Sequence, residues 1–116
     1  LYVGLGRWAR GEKLSAQRFV EHYALDRILE ITDIRTGHGL SGDGPHAVSG
    51  LAARDSFAVD RRWEARHPDQ AAQLSDCVQG YEQVPASAAS ILGWLQDLSE
   101  LAPVMVEAVQ ARLSGM

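Results

Sequence analysis

This chain has little of what nucleic-acid-binding, disulfide-stabilised or membrane-spanning proteins need. Lysine and arginine total 11 against 15 aspartates and glutamates, a formal charge of −4. Proteins that track phosphate usually carry the opposite balance, because basic side chains release counterions on binding. Nucleic acid is therefore not an expected partner. Cys77 is the single cysteine, which excludes an internal disulfide and a thiolate metal cluster. The longest uncharged run with apolar character lies between Glu82 and Asp97, short of the roughly 20 apolar residues of a membrane span. No membrane association is expected. Residues 1–12 carry Arg7, Arg10 and Glu12 among apolar side chains, unlike a secretory leader, and the cytoplasm is the default location. There is no internal repeat and no convincing strand pattern.

What is present is a chain of 116 residues, 46% hydrophobic, enough for one core and too apolar for a disordered segment. It opens on Leu1 rather than methionine, and the expectation is a single helical domain, residues 1–116, forming the C-terminal part of a larger protein. Residues 1–10 read as a helix stopped by Gly11, which suits the left-handed position past a helix end. Residues 13–35 give the strongest helical pattern. Ala16, Phe19, Val20, Tyr23, Ala24, Ile28, Ile31 and Ile34 recur at three- and four-residue steps, with Leu25 and Leu29 on another side. Arg18, His22 and Asp26 form a polar stripe. At about 100° per residue, Arg27 falls inside the apolar stripe; it is expected to be buried and paired, with Glu30 the local candidate.

Residues 36–55 are expected to form a long, mobile Gly-rich loop, since five glycines and Pro45 crowd residues 37–50. Asp55 or Ser56 can cap a short helix running to Arg66, ended by His67-Pro68. A second short helix should turn Ala71, Leu74, Cys77 and Val78 inward and stop at Gly80. Pro85 suits the first turn of the next helix, whose seam is Ala88, Ile91, Leu92, Leu95 and Leu98, widened by Trp94. Pro103 demands a break near residues 100–102, followed by a last helix to about Leu113.

Four groups of residues tempt a chemical reading. Gly37-His38-Gly39-Leu40-Ser41-Gly42 spells G-x-G-x-x-G, but a dinucleotide turn needs a strand before it and a helix after it. His38, Asp43 and His46 could gather around a metal, yet nothing regular holds them. Arg62 and His67 match the R-x4-H spacing of helical ribonucleases, where such a pair stabilises phosphate charge and moves a proton. The Arg18–His22–Asp26 stripe reads as a solvated, ion-paired face.

Two stretches carry a family resemblance. Arg10-Gly11-Glu12-Lys13-Leu14-Ser15-Ala16, continuing through Phe19, Tyr23-Ala24-Leu25-Asp26-Arg27 and Glu30, resembles the C-terminal domain of lincosamide-type antibiotic nucleotidyltransferases. Arg61-Arg62-Trp63-Glu64-Ala65-Arg66-His67-Pro68 is similar to a second segment of that family, and a weaker likeness runs on through Gly80, Leu92 and Leu95. The resemblance implies an all-α fold, an antiparallel helical bundle of about five helices acting as acceptor-binding wall and dimer contact, with antibiotic resistance as one setting. It also implies a catalytic N-terminal domain of the DNA polymerase beta type that binds Mg²⁺ and a nucleoside triphosphate through a Gly-Ser turn and an Asp-x-Asp pair. Neither motif occurs in this chain, so no catalytic residue, metal or cofactor is expected within it.

The substrate-side candidates are Glu12, Tyr23, Arg62 and Glu64. Glu12 could orient or deprotonate an acceptor hydroxyl, or cap the following helix. Arg62 and Glu64 could face a cleft or bridge helices. Trp63 reads as core. A homodimer and, in the parent, a small-molecule acceptor are the expected partners, with the excess apolar surface of Leu5, Trp8 and residues 102–113 as the contact. A stand-alone helical interaction module is the alternative, and an Arg–His ribonuclease the third reading.

Overall fold

In the computed structural model, Tyr2–Ala9 form helix α1, which ends where Gly11 takes the left-handed φ of +84° that glycine tolerates at no steric cost. The structure describes residues 1–36 and 58–116. A continuous helical run follows α1: α2 (Lys13–Gln17), a seven-residue π segment (Arg18–Ala24) and α3 (Leu25–Arg35). Then come α4 (Trp63–Arg66), a 3-10 turn (Ala71–Gln73) leading into α5 (Leu74–Cys77), α6 (Val84–Leu98) and α7 (Pro103–Ser114). Among the described residues the fold is all-α, six helical runs with no strand. None of these helices is long and apolar enough to cross a membrane.

The helix expected at residues 13–35 exists, but its inward face departs in part from the one the periodicity picks out. Ala16, Val20 and Ile28 are buried, as expected, and so are Leu25 and Leu29 on the second side; Thr32 and Asp33 join them, whereas Tyr23 is 51% and Ile34 67% exposed. The π segment explains the change. Its wider, i→i+5 turn inserts one residue into the repeat, so the inward step from Val20 goes to Leu25 instead of Ala24. Every later position is rotated by about one residue, about 100°. Arg27 rotates with the rest. Its guanidinium does meet Glu30, at 3.2 Å, but its side chain is 65% exposed, so the expected burial is corrected.

The chain divides into two compact units, Leu1–Leu25 with Ser75–Met116, and Asp26–Leu74. In the first unit α1 packs on α2, the π segment, α6 and α7. The approach to the π segment requires glycine: a Cβ on Gly4 would lie 2.8 Å from Val20 Cγ2 and 3.0 Å from Phe19 Cβ. Leu5, Ala16, Val20, Val84, Ala88 and Ile91 are fully buried in this unit. Pro85 stands in the first turn of α6 as expected, and the break before α7 falls at residues 99–102. The apolar excess expected around Leu5 is absent, because Leu5 is itself core. Trp8 is half-buried beneath the Lys13 ammonium, 5.0 Å from its ring. Arg112 of α7 folds over Tyr2, 3.8 Å from the ring centroid.

One carboxylate ties this unit across the chain. Glu21 Oε2 accepts hydrogen bonds from Ser87 Oγ at 2.6 Å and from the Gly80 backbone N–H at 3.1 Å, while Oε1 accepts from Gln17 at 3.2 Å. Ser87 Oγ in turn accepts from the Gln79 N–H at 2.9 Å. Gly80, with φ of +108°, makes the turn that permits this. Cys77 is buried as expected, but Val78 is 47% exposed: with α5 only one turn long, the turn of 78–80 swings it outward.

Candidate functional site

The segment expected to begin a helix at residue 55 or 56 turns at residues 59–62, and α4 starts only at Trp63. Residues 55–57 lie outside the described part. Arg62 precedes the helix in a left-handed conformation, φ 60° and ψ 22°, rare for a side chain of its size. Arg62 and Glu64 are exposed, and Trp63 between them is 1% exposed, its indole N–H donating to the Leu29 carbonyl at 3.3 Å. Trp63, Arg66 and His67 turn inward at the i, i+3, i+4 spacing of one helical face, which leaves Arg62 and Glu64 outside.

Behind that turn lies a polar cluster that reading the sequence missed. Arg66 grips Asp33 bidentately, Nε to Oδ1 at 3.0 Å and Nη2 to Oδ2 at 3.1 Å, with both side chains fully buried. Two more of its donors reach the carbonyls of Arg61 (3.0 Å) and Val59 (2.8 Å), so one guanidinium closes the whole 59–62 turn. His67 Nε2 lies 2.7 Å from Asp33 Oδ1. A carboxylate that already accepts from arginine can only accept, so His67 is the donor. The Trp63 ring covers the imidazole at 4.5 Å. The signal for this cluster was Asp33 itself, four residues after Leu29, on the face that the π segment turns inward; in an unshifted helical phase Asp33 points outward.

The cluster is structural. Asp33 and His67 are 0% and 3% exposed, closed off from solvent. The R-x4-H pair does not form an open site either, because Arg62 is exposed while His67 is turned into the core against Asp33. That removes the geometric basis of the ribonuclease reading.

Glu12 occupies the N-cap position of α2 but makes no capping bond. Its carboxylate turns back to Arg10, whose Nε donates to Oε2 at 2.7 Å across the Gly11 turn. That hydrogen bond, with the nearby charges of Arg10 and Arg7, holds the Glu12 carboxyl below its ordinary range. A carboxylate so stabilised is a poor proton acceptor and a good hydrogen-bond acceptor. Beside it, Lys13 pairs with Glu82 at 3.0 Å, its ammonium lying near the Trp8 and Tyr81 rings. Tyr23 stands apart on the π segment, edge-on to Phe19 at 5.4 Å and next to His22. Among the described residues no hydrogen bond joins Tyr23 to Glu12. Arg62 and Glu64 belong to the other compact unit.

Among the described residues no group of three or more histidine, cysteine, aspartate or glutamate side chains is placed to hold a metal. The G-x-G-x-x-G run and the His38, Asp43, His46 set fall outside the described residues, as does nearly all of the 36–55 loop. Compared with protein families, curated proteins and solved structures, the chain matches none.

Proposed function

We propose that this chain is the acceptor-side, non-catalytic helical domain of a nucleotidyltransferase-like protein, and that two copies associate through their helices. The observation that carries this reading is the Arg10–Gly11–Glu12 turn. Gly11 in the left-handed region reverses the chain between α1 and α2, and Arg10 keeps the exposed Glu12 ionised. A fixed, charged acceptor at a surface turn suits the orienting of a substrate hydroxyl better than removing its proton. Arg62 and Glu64, flanking the anchored Trp63, are the corresponding polar groups of the second unit.

The parent coding sequence tests this directly. A Gly-Ser turn followed by an Asp-x-Asp pair upstream of Leu1 supports the reading, and an upstream region without them overturns it. In a parent that carries them, Glu12→Gln should raise KM for the acceptor more than it lowers kcat, since a hydrogen-bond orienter is lost and no base is.

Association has a candidate surface. A concavity of about 280 Å³ in the first unit is lined by Leu92, Leu95, Leu101, Ala102, Met105 and Val106. On α7, Val104 and Met105 are 70% and 55% exposed. Met105→Asp should abolish a dimer in sedimentation while leaving helicity intact. A concentration-independent monomer mass for the unsubstituted chain rejects the dimer. Val109, at the floor of the same concavity, is only 6% exposed. The same concavity is what favours the second reading, an interaction module for another protein.

A further inference from the structure

The π segment does more than rephase the helix. Together with the 78–80 turn it borders an open cleft of about 480 Å³ whose lining includes Leu14, Arg18, Glu21, His22, Val78 and Gly80. The volume is within the range of small-molecule sites, roughly 300–1,000 Å³. Single-turn π insertions occur frequently at functional sites, and this one places two basic side chains, one turn apart, on the same cleft.

The cleft has a built wall. Ser87 and the Gly80 N–H both bond to Glu21 Oε2, and Ser87 also holds the Gln79 N–H. The 78–80 turn is thereby latched to the π segment without help from a ligand. A wall held in place beforehand lowers the ordering cost of binding. The same bonds occupy both oxygens of Glu21 and leave the Arg18 guanidinium as the charged donor facing the cleft. Glu21 is the acidic side chain of the lining, and its two oxygens are already engaged by three donors within the protein. Arg18 is exposed and, among the described residues, makes no ion pair. His22 is exposed beside it. Leu14 and Val78, 56% and 47% exposed, supply apolar surface in the same cleft. The net charge of −4 disfavours an extended polyanion, which leaves a small ligand.

We propose that this cleft binds a small amphipathic oxyanion, its phosphate or carboxylate group held by Arg18 and His22 and its apolar part lying against Leu14 and Val78. Arginine suits this role because its planar fork donates in parallel to two oxygens. The site does not depend on Glu12, on a nucleotide or on any catalytic domain, so it stands or falls separately from the function proposed above.

The test is titration of the isotopically labelled 116-residue chain with phenyl phosphate and, separately, benzoate, followed by backbone amide shifts. Shifts are expected at residues 14–22 and 78–80; the stronger of the two ligands identifies the oxyanion. Arg18→Gln and His22→Gln should each weaken that binding about tenfold, the loss of one charge-assisted hydrogen bond. Both residues are exposed, so the variants should keep the wild-type circular dichroism. Leu14→Ser should weaken phenyl phosphate while leaving inorganic phosphate unchanged. The proposal is overturned if neither ligand shifts these amides, if the shifts map elsewhere, or if Arg18→Gln binds as the unsubstituted chain does.

Discussion

The two compact units solve the problem of burial with different chemistry. Around α1, the π segment and α6, the buried side chains are small or aliphatic: Leu5, Ala16, Val20, Val84, Ala88, Ile91 and Leu92, with Trp94 and Val109 near them. Ser87 is the buried polar residue there, and it is spent on the Glu21 latch. In the other unit, the described buried residues are Ile28, Leu29 and Trp63 together with Thr32, Asp33, Arg66 and His67. Thr32 bonds to the Ile28 carbonyl at 2.8 Å, and the remaining three polar groups form one cluster. The first unit depends on volume and close approach. The second depends on every partner of a buried charge being present, because an unpaired charge in a low-dielectric interior is far more costly than a lost methyl group.

Substitutions in both units can break or sharpen that contrast. The largest effect is expected for Arg66→Ala, which removes the arginine partner of the buried Asp33 and opens the 59–62 turn. Breaking a buried pair costs about 3–5 kcal/mol, to be read by guanidinium denaturation. A loss below about 1 kcal/mol, the range of exposed pairs, would mean that ionic clamping does not hold this unit. Replacing both partners, Asp33→Leu with Arg66→Met, should cost much less than the single change, since no charge is left behind.

Next comes Gly4→Val in the first unit. Its Cβ would crowd the fully buried, β-branched Val20 and the Cβ of Phe19, an overpacking worth about 1–3 kcal/mol. Wild-type stability of this variant would show that α1 and the π segment are not in contact through Gly4.

Cys77 offers a pH readout within the same unit. Burial, with a smaller contribution from Asp76, pushes its thiol from the ordinary 9.0 up to about 11. The folded state thus favours the protonated thiol. Its contribution is fully present below the ordinary value and is lost as pH rises towards 11. At about pH 10 the unsubstituted chain should have lost about 1 kcal/mol relative to Cys77→Ala. Thiolate absorbance rising near the ordinary pKa would place the thiol in solvent instead.

Gly93→Ala is expected to raise stability by about 0.5–1 kcal/mol, because Gly93 lies within α6 with open space where a Cβ would stand. A destabilised variant would show that something covers that face. The smallest change should be Arg27→Ala, below about 0.5 kcal/mol, as expected of an exposed i,i+3 pair. A loss comparable to that of Arg66→Ala would return Arg27 to the interior and dissolve the distinction.

Much of the architecture was legible in one dimension. Gly11, Pro85, Pro103 and Gly80 punctuate the helices where backbone geometry requires it, and the observed ends of α1, α6 and α7 follow them. Trp63 and Cys77 were read as inward, and they are. The partner of Arg27 was also right, being a neighbour on the same helical surface. Its burial was not, nor were the inward positions of Tyr23, Ile34 and Val78. Of the site candidates, Glu12, Tyr23, Arg62 and Glu64 are all at the surface, while Asp33, Arg66, Arg18 and His22 acquire their significance only from groups distant in the chain.

Sequence alone settled the helical class, the punctuation of the helices and the exclusion of a disulfide or thiolate cluster within these 116 residues, because each follows from local backbone preference or from which residues are present at all. Tertiary structure decided the phase of the long helix, the charge that is buried and the cleft that forms. A π insertion has no periodic signature of its own, and it persists only when packing, here Val20 beneath Gly4 and Glu21 bonded to Ser87 and Gly80, stabilises the wider turn more than a regular helix would be. One added residue in that turn swung Arg27 outward and Asp33 inward, and with Asp33 the ion pair that the second unit is built on.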